Sequence, residues 1–171
     1  MPINPVFAIV SASLAVAAMS AAGSAQARPA LCAPQEAPIF SCSTGTKIVS
    51  LCASKDLGEN TGALRYLFGA RGTIELTYPA PGVPPRAAFA HGVTGGTGGG
   101  ADFLRFETGG VTYTLFADHY RGRERDGLVV ERGGRRIATL LCKSGAMDPA
   151  NGWGAIYRAE LPQLPPDFET P

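Results

Sequence analysis

The amino-acid sequence predicts an all-β protein, an antiparallel meander of about eight strands folded as a small barrel or sandwich and stapled by disulfides. Three observations carry that expectation. Segments with period-two alternation of apolar and polar residues recur along the chain, which is the pattern of strands with one buried face. Gly (22) and Pro (14) are so frequent among the 171 residues that no long helix fits between them. Four cysteines, an even number, accompany an N-terminal stretch that reads as an export signal.

Residues 1–27 contain no Asp, Glu, Lys or Arg. They carry the apolar runs Val6 to Val10 and Leu14 to Ala18, and they close on Ala25-Gln26-Ala27. A short apolar region ending in an A-x-A triplet is the pattern of a cleaved secretory signal, and it is too short and too rich in small residues for a membrane span. The n-region has no basic side chain, a departure from that pattern. Cleavage after Ala27 leaves a mature chain from Arg28, with all the charged residues in it and a net charge of +1. That balance gives no reason to expect nucleic-acid binding, and no membrane insertion is expected once the signal is removed. Leu31 immediately before Cys32 is wrong for a bacterial lipoprotein signal, so a freely soluble periplasmic or secreted product is expected.

Strands are expected as four successive hairpins. Ile39–Ser43 and Lys47–Cys52 flank Thr44-Gly45-Thr46, a tight turn. Leu64–Phe68 places Leu64, Tyr66 and Phe68 on one side, and after Gly69 and Gly72 comes Ile74–Tyr78, ended by Pro79. Asp102–Glu107 and Val111–Ala117 flank Gly109-Gly110. Leu128–Arg132 and Arg135–Cys142 flank Gly133-Gly134, a dipeptide suited to the positive φ angles of a type I′ turn. Closing such a meander protects its edges and brings the first strand beside the last.

Residues 28–147 thus form one β domain. Within it, residues 80–100 hold Pro81, Pro84, Pro85 and the run Gly95-Gly96-Thr97-Gly98-Gly99-Gly100, which reads as a long flexible loop whose removal over 92–100 would leave the fold intact. Residues 148–171 read as a loosely held, Pro-rich tail, with Trp153, Ile156 and Tyr157 forming a last short strand or lying over one end of the sheet.

Cys32, Cys42, Cys52 and Cys142 allow three pairings, and spacing alone does not choose among them. Closure of the meander suggests Cys42–Cys142 across the seam, a loop of about 100 residues worth roughly 4–5 kcal/mol, and leaves Cys32–Cys52 to pin the N-terminal arm. No C-x-x-C or nearby histidine suggests a metal, and no cofactor is expected.

The candidate chemistry is sparse. The glycine run lacks the Gly-Lys-Ser/Thr ending of a phosphate loop and opens no helix. Asp118, His119, His91, Ser50 and Ser54 contain the residue types of a Ser-His-Asp unit, but no G-x-S-x-G elbow is present. Adjacent residues such as Asp118 and His119 point to opposite faces of a strand, so His119 reads as an exposed strand-end residue. Nothing singles out two of Asp102, Glu107, Asp118, Glu124 and Asp126 as a glycosidase pair.

Charge is most uneven between Arg121 and Arg136, where Arg121, Arg123, Arg125, Arg132, Arg135 and Arg136 outnumber Glu124, Asp126 and Glu131. The tail after Lys143 is acidic, with Asp148, Glu160, Asp167 and Glu169 against Arg158. The bland account is that the tail neutralises the hairpin or that both are solvated. The functional account is a basic face for an acidic partner or an anionic glycan. The residues expected at such a contact are His91 from the 80–100 loop, together with Arg121, Arg123, Arg125 and Arg132.

The segments Phe40-Ser41-Cys42, Lys47 to Ser54, Leu64 to Gly69, Ile74 to Pro79, Phe103 to Phe106, Tyr113 to Leu115, Gly127 to Val130 and Leu140 to Cys142 resemble a group of small exported bacterial proteins without assigned activity. That group's aromatic strand reads Tyr-Arg-Phe-Gly, whereas here Arg65 precedes Tyr66 and Leu67 takes the arginine's place. More loosely, a short barrel with a cysteine on its first and last strands is similar to periplasmic inhibitors of c-type lysozyme, although their inhibitory loop has no clear counterpart here. These readings imply an exported, non-enzymatic module that binds a protein or glycan of the cell envelope, with inhibition of a cell-wall enzyme as one form. A small envelope hydrolase and a structural envelope component are the alternatives, and the sequence does not give an oligomeric state.

Overall fold

A computed structural model describes residues 29–143, 146 and 152–171. The expected signal, residues 1–27, and the start of the tail at 148–151 lie outside the described residues. Among the described residues there are nine strands: β1 Ala37–Ser43, β2 Ile48–Ala53, β3 Leu64–Ala70, β4 Thr73–Tyr78, β5 Ala90–Gly96, β6 Gly99–Thr108, β7 Val111–Tyr120, β8 Arg123–Arg132 and β9 Arg135–Leu141. A single turn of helix, α1 Pro85–Ala88, precedes β5, and α2 Gly152–Arg158 follows β9. Each strand pairs with its neighbour in sequence, β1-β2-β3-β4 in one sheet and β5-β6-β7-β8-β9 in the other, all antiparallel. The sheets do not close into a barrel; they stack as a sandwich.

Alternation along the strands builds the core between the sheets. Val49, Leu51 and Tyr66 of the first sheet meet Leu104, Phe106, Leu115 and Leu128 of the second. Aromatic rings dominate its centre: Phe106 stacks on Tyr113 at 4.9 Å between centroids and on Tyr78 at 4.5 Å, with Tyr66 tilted against it at 4.8 Å. Helix α2 lies over β1 at one edge, burying Ala155 and Ile156.

The two disulfides are Cys32–Cys52 and Cys42–Cys142. The second joins β1, an edge of the first sheet, to the residue after β9, an edge of the second. The chain beyond β9 then follows β1, with Lys143 N–H donating to the Ser43 carbonyl at 3.0 Å and Ser41 N–H to the Ala146 carbonyl at 2.8 Å. β1 and the described residues just beyond β9 are therefore neighbours at a seam, joined by the disulfide and these two backbone bonds. The first disulfide pins the N-terminal arm to β2, helped by Leu31 N–H donating to Ser50 Oγ at 3.0 Å and Ser41 Oγ–H to the Pro29 carbonyl at 2.7 Å.

Two sequence expectations are overturned. Residues 80–100 are not a flexible loop: Pro85 opens α1, residues 90–96 are β5, and Thr97-Gly98 turns directly into β6. Glycine in this stretch serves close packing. A Cβ on Gly92 would sit 2.2 Å from Phe103 Cζ, so the strand can lie against that ring only without a side chain. The tail is not loosely held either. Leu161 and Phe168 are buried, and the stretch around Gln163 forms a parallel bridge to His91 on β5. Of the two alternatives for Trp153, Ile156 and Tyr157, a last short strand does not form; they lie on helix α2, which packs over β1.

Candidate functional site

The register of the second sheet sets two hairpin tips side by side. Gly99 on β6 faces Tyr120 on β7, so the β5–β6 turn at Thr97-Gly98 adjoins the β7–β8 turn at Arg121-Gly122. Arg121 N–H donates to the Gly98 carbonyl at 2.8 Å and ties the tips together. The turn takes φ of +49° at Arg121 and +76° at Gly122, the left-handed pair of a type I′ hairpin. Arginine is a costly choice there, since a non-glycine residue in this region gives up about 1 kcal/mol or more.

The same tip presents Tyr120, 45% exposed, with the Arg121 guanidinium 5.3 Å from its ring centroid. Arg123 pairs across the strands with Tyr120 and is exposed. Arg125 is engaged instead: it donates to Asp118 Oδ2 at 2.9 Å and to the Pro171 carbonyl. A cavity of about 330 Å³ opens beside them, lined by Gly96, Gly99, Asp118, Tyr120, Arg125 and Thr170 of the tail. The surface combines an exposed aromatic ring and two exposed cations with a glycine-lined cavity beside them. It suits docking against a carboxylate-bearing partner.

The residues anticipated as contacts separate. Arg121, Arg123 and Arg125 come together at the tips. Arg132 lies at the far end of β8, paired with Val111, about 30 Å along the strand from Arg123 at the usual rise per residue. His91 is 1% exposed and is not a contact residue. Its place on β5, a strand that the glycine-rich pattern concealed, turns the ring inward against Trp153 and Tyr157, at 5.5 and 5.2 Å between centroids.

His91 Nε2 lies 3.2 Å from Asp102 Oδ1, and Tyr157 O–H donates to the same oxygen at 2.8 Å. Burial raises the Asp102 carboxyl, but the hydrogen bonds from His91 and Tyr157 and the nearby imidazoles outweigh it and hold the group below its ordinary value. Tyr157 is pushed up to about 12, by burial and then by its bond to Asp102. His91 also binds the tail through its backbone: its N–H donates to the Pro162 carbonyl at 2.9 Å and its carbonyl accepts from Leu164 N–H at 2.7 Å. The cluster anchors the buried His91 to the half-exposed Tyr157 of α2 and to the tail. Ser50 bonds Ser41 across the sheet and Ser54 closes the turn before β3 through Ala63 N–H, so neither serine considered for a triad is paired with this histidine. His119, by contrast, is exposed at the strand end.

No set of three or more His, Cys, Asp or Glu side chains among the described residues is arranged to hold a metal ion, and no helix among them is long and apolar enough to cross a membrane. Tyr120 was missed by sequence reasoning because β7 was expected to stop at Ala117. The available signal was Arg121-Gly122, a two-residue turn with Tyr120 and Arg123 directly on either side. Comparison of the chain with protein-family models, curated proteins and solved structures finds no match.

Proposed function

We propose that the protein is an exported, non-enzymatic binding module of the bacterial envelope, periplasmic or secreted, that grips an acidic surface of a protein partner with its paired hairpin tips. Inhibition of a cell-wall enzyme is the form of action we favour. Export is supported by the N-terminal leader pattern together with two disulfides, which oxidising compartments preserve. The observation that carries the binding reading is Arg121. It occupies a conformationally unfavourable turn position, fixed by a backbone bond to Gly98, with its cation stacked on an exposed Tyr120 beside an exposed Arg123. An aromatic–arginine pair on a rigid support is the composition that dominates interface energetics.

The test is capture of envelope proteins on the oxidised mature chain, with Arg121→Ala/Arg123→Ala as the comparison, followed by assay of the captured enzyme's activity. A partner retained by the wild type, released by salt and lost from the double variant supports the reading. Turnover of labelled cell-wall glycan or peptide by the purified protein itself would overturn it in favour of an envelope hydrolase. Equal capture by wild type and variant would remove the tips from the interface.

A further inference from the structure

The outer face of the second sheet, turned away from the sandwich core, carries a separate apolar patch made of Phe103, Phe116 and Val129. Three strands contribute one residue each, and the tail covers them. Phe168 inserts against Phe103 and Phe116, at 5.0 and 5.7 Å between centroids, and Leu164 packs beside it. Between these anchors Pro165 and Pro166 are exposed, and the chain turns at Pro166, where Asp167 N–H donates to the Pro165 carbonyl at 2.8 Å. Cations rim the patch. Arg105, over the Phe103 ring at 5.4 Å, lies 3.5 Å from Asp167; Arg136 donates to the Glu169 carbonyl at 3.0 Å; Arg125 donates to the Pro171 carbonyl. The tail adds no ladder to the sheet beyond the two backbone bonds at His91.

Residues 162–171 thus lie on the sheet as a peptide ligand lies on a receptor: turned once at Pro166, and held by two apolar anchors four residues apart and by basic side chains. Recognition of acidic segments by arginine clusters is one general mode of peptide binding, and the arginines at the rim of this patch are of that kind. We propose that this face is a peptide-recognition groove, that its own tail is a displaceable resident, and that the external occupant is an acidic, proline-containing segment of a partner protein with a Leu-Pro-Pro-Asp-Phe-like pattern. This groove meets the hairpin tips at Arg125, which holds Pro171, but its apolar surface is built from Phe103, Phe116 and Val129 and not from Arg121 or Arg123.

The experiment is fluorescence anisotropy of a labelled synthetic peptide with the sequence of residues 162–171, titrated with the full oxidised chain and with full-chain Leu164→Ala/Phe168→Ala. The wild type should bind weakly, because its tethered tail competes at an effective concentration on the order of millimolar. The double variant, whose tail has lost both anchors, should bind at least ~10-fold tighter, in line with removal of that competitor. Adding Arg105→Ala should weaken the variant's binding, whereas adding Arg121→Ala/Arg123→Ala should leave it unchanged, which separates this proposal from the tip reading. A folded double variant that fails to bind the peptide overturns the proposal. So does a double variant that unfolds, since the tail would then be a permanent part of the core. A concentration-dependent wild-type dimer abolished by the double variant would assign the groove to the tail of a second copy and overturn the partner assignment.

Discussion

Removal of Cys42–Cys142 should destabilise the protein more than removal of Cys32–Cys52, by an amount set by the chain between the cysteines. The two bridges close segments of 100 and 20 residues in sequence separation. In the chain-entropy description, these constrain the unfolded state by about 4.7 and about 3.3 kcal/mol at 25 °C. Packing losses nearly cancel in the comparison, because Cys42 and Cys52 are both almost wholly buried. The difference of about 1.4 kcal/mol is a tenfold change in the folding equilibrium. Topology adds to it. Cys42–Cys142 joins the edges of two sheets, whereas Cys32–Cys52 holds an arm that Ser41 and Ser50 also hold. Against a total stability of about 5–15 kcal/mol, the longer bridge accounts for about a third or more. Urea titration of Cys42→Ala/Cys142→Ala and Cys32→Ala/Cys52→Ala, followed by circular dichroism, measures both. An equal or larger loss from the shorter bridge would refute the argument.

Tyr66→Phe should hold stability constant or raise it by up to about 1–3 kcal/mol, since the Tyr66 hydroxyl is buried without a hydrogen-bond partner among the described residues; thermal unfolding reads this directly. Within the glycine-rich strand, Gly92→Ala should cost about 1–3 kcal/mol by forcing Phe103 aside. Gly96→Ala, whose Cβ meets open space, should gain about 0.5–1 kcal/mol, a difference in sign that one melting experiment on the pair resolves. Asp102 and Glu36 both have carboxyls held below the ordinary value, the latter by its hydrogen bond from Arg65, so each adds stability that is present above the unfolded carboxylate range and lost as pH falls through the depressed folded value. Asp102→Asn should therefore flatten the decline in urea midpoint between neutral and strongly acidic pH, and an unchanged acid profile would exclude this carboxylate from the linkage.

Much of the fold was legible because hairpins are local. All four expected hairpins form, since turn dipeptides such as Gly109-Gly110 and Gly133-Gly134 report strand ends without knowledge of the partner sheet, and Leu64, Tyr66 and Phe68 pack into the interior as their alternation predicts, whereas Ile74 stays exposed. Pairing of Cys42 with Cys142 followed from the same meander logic. What stayed hidden depends on contacts distant in sequence. The glycines of residues 92–100 signal flexibility when read locally, and only the Phe103 ring beneath Gly92 shows why a strand needs them. The tail is Pro-rich and acidic, a composition that reads as loose; Phe168 is ordered by a patch on three other strands. His91 looked available because β5 was unseen, so its burial under α2 could not be anticipated. For the tips, sequence reasoning supplied Arg121, Arg123 and Arg125, whereas the juxtaposition with Tyr120 and the glycine-lined cavity needed the β6–β7 register.

Arg121 offers a way to separate what folding requires from what binding requires. A type I′ turn of sequence Asn-Gly is the favoured two-residue hairpin, and asparagine tolerates the left-handed conformation that arginine resists. If the arginine served the fold, Arg121→Asn would be destabilising, because it removes a cation–π contact with Tyr120 worth about 0.5–1 kcal/mol at an exposed site. The relief of backbone strain, about 1 kcal/mol or more, acts in the opposite direction. The backbone bond to Gly98 is retained in either case. The balance predicts stability equal to or slightly above wild type, together with weaker partner capture. A melting temperature that falls clearly, with capture intact, would place Arg121 among the residues that build the hairpin and detach it from recognition.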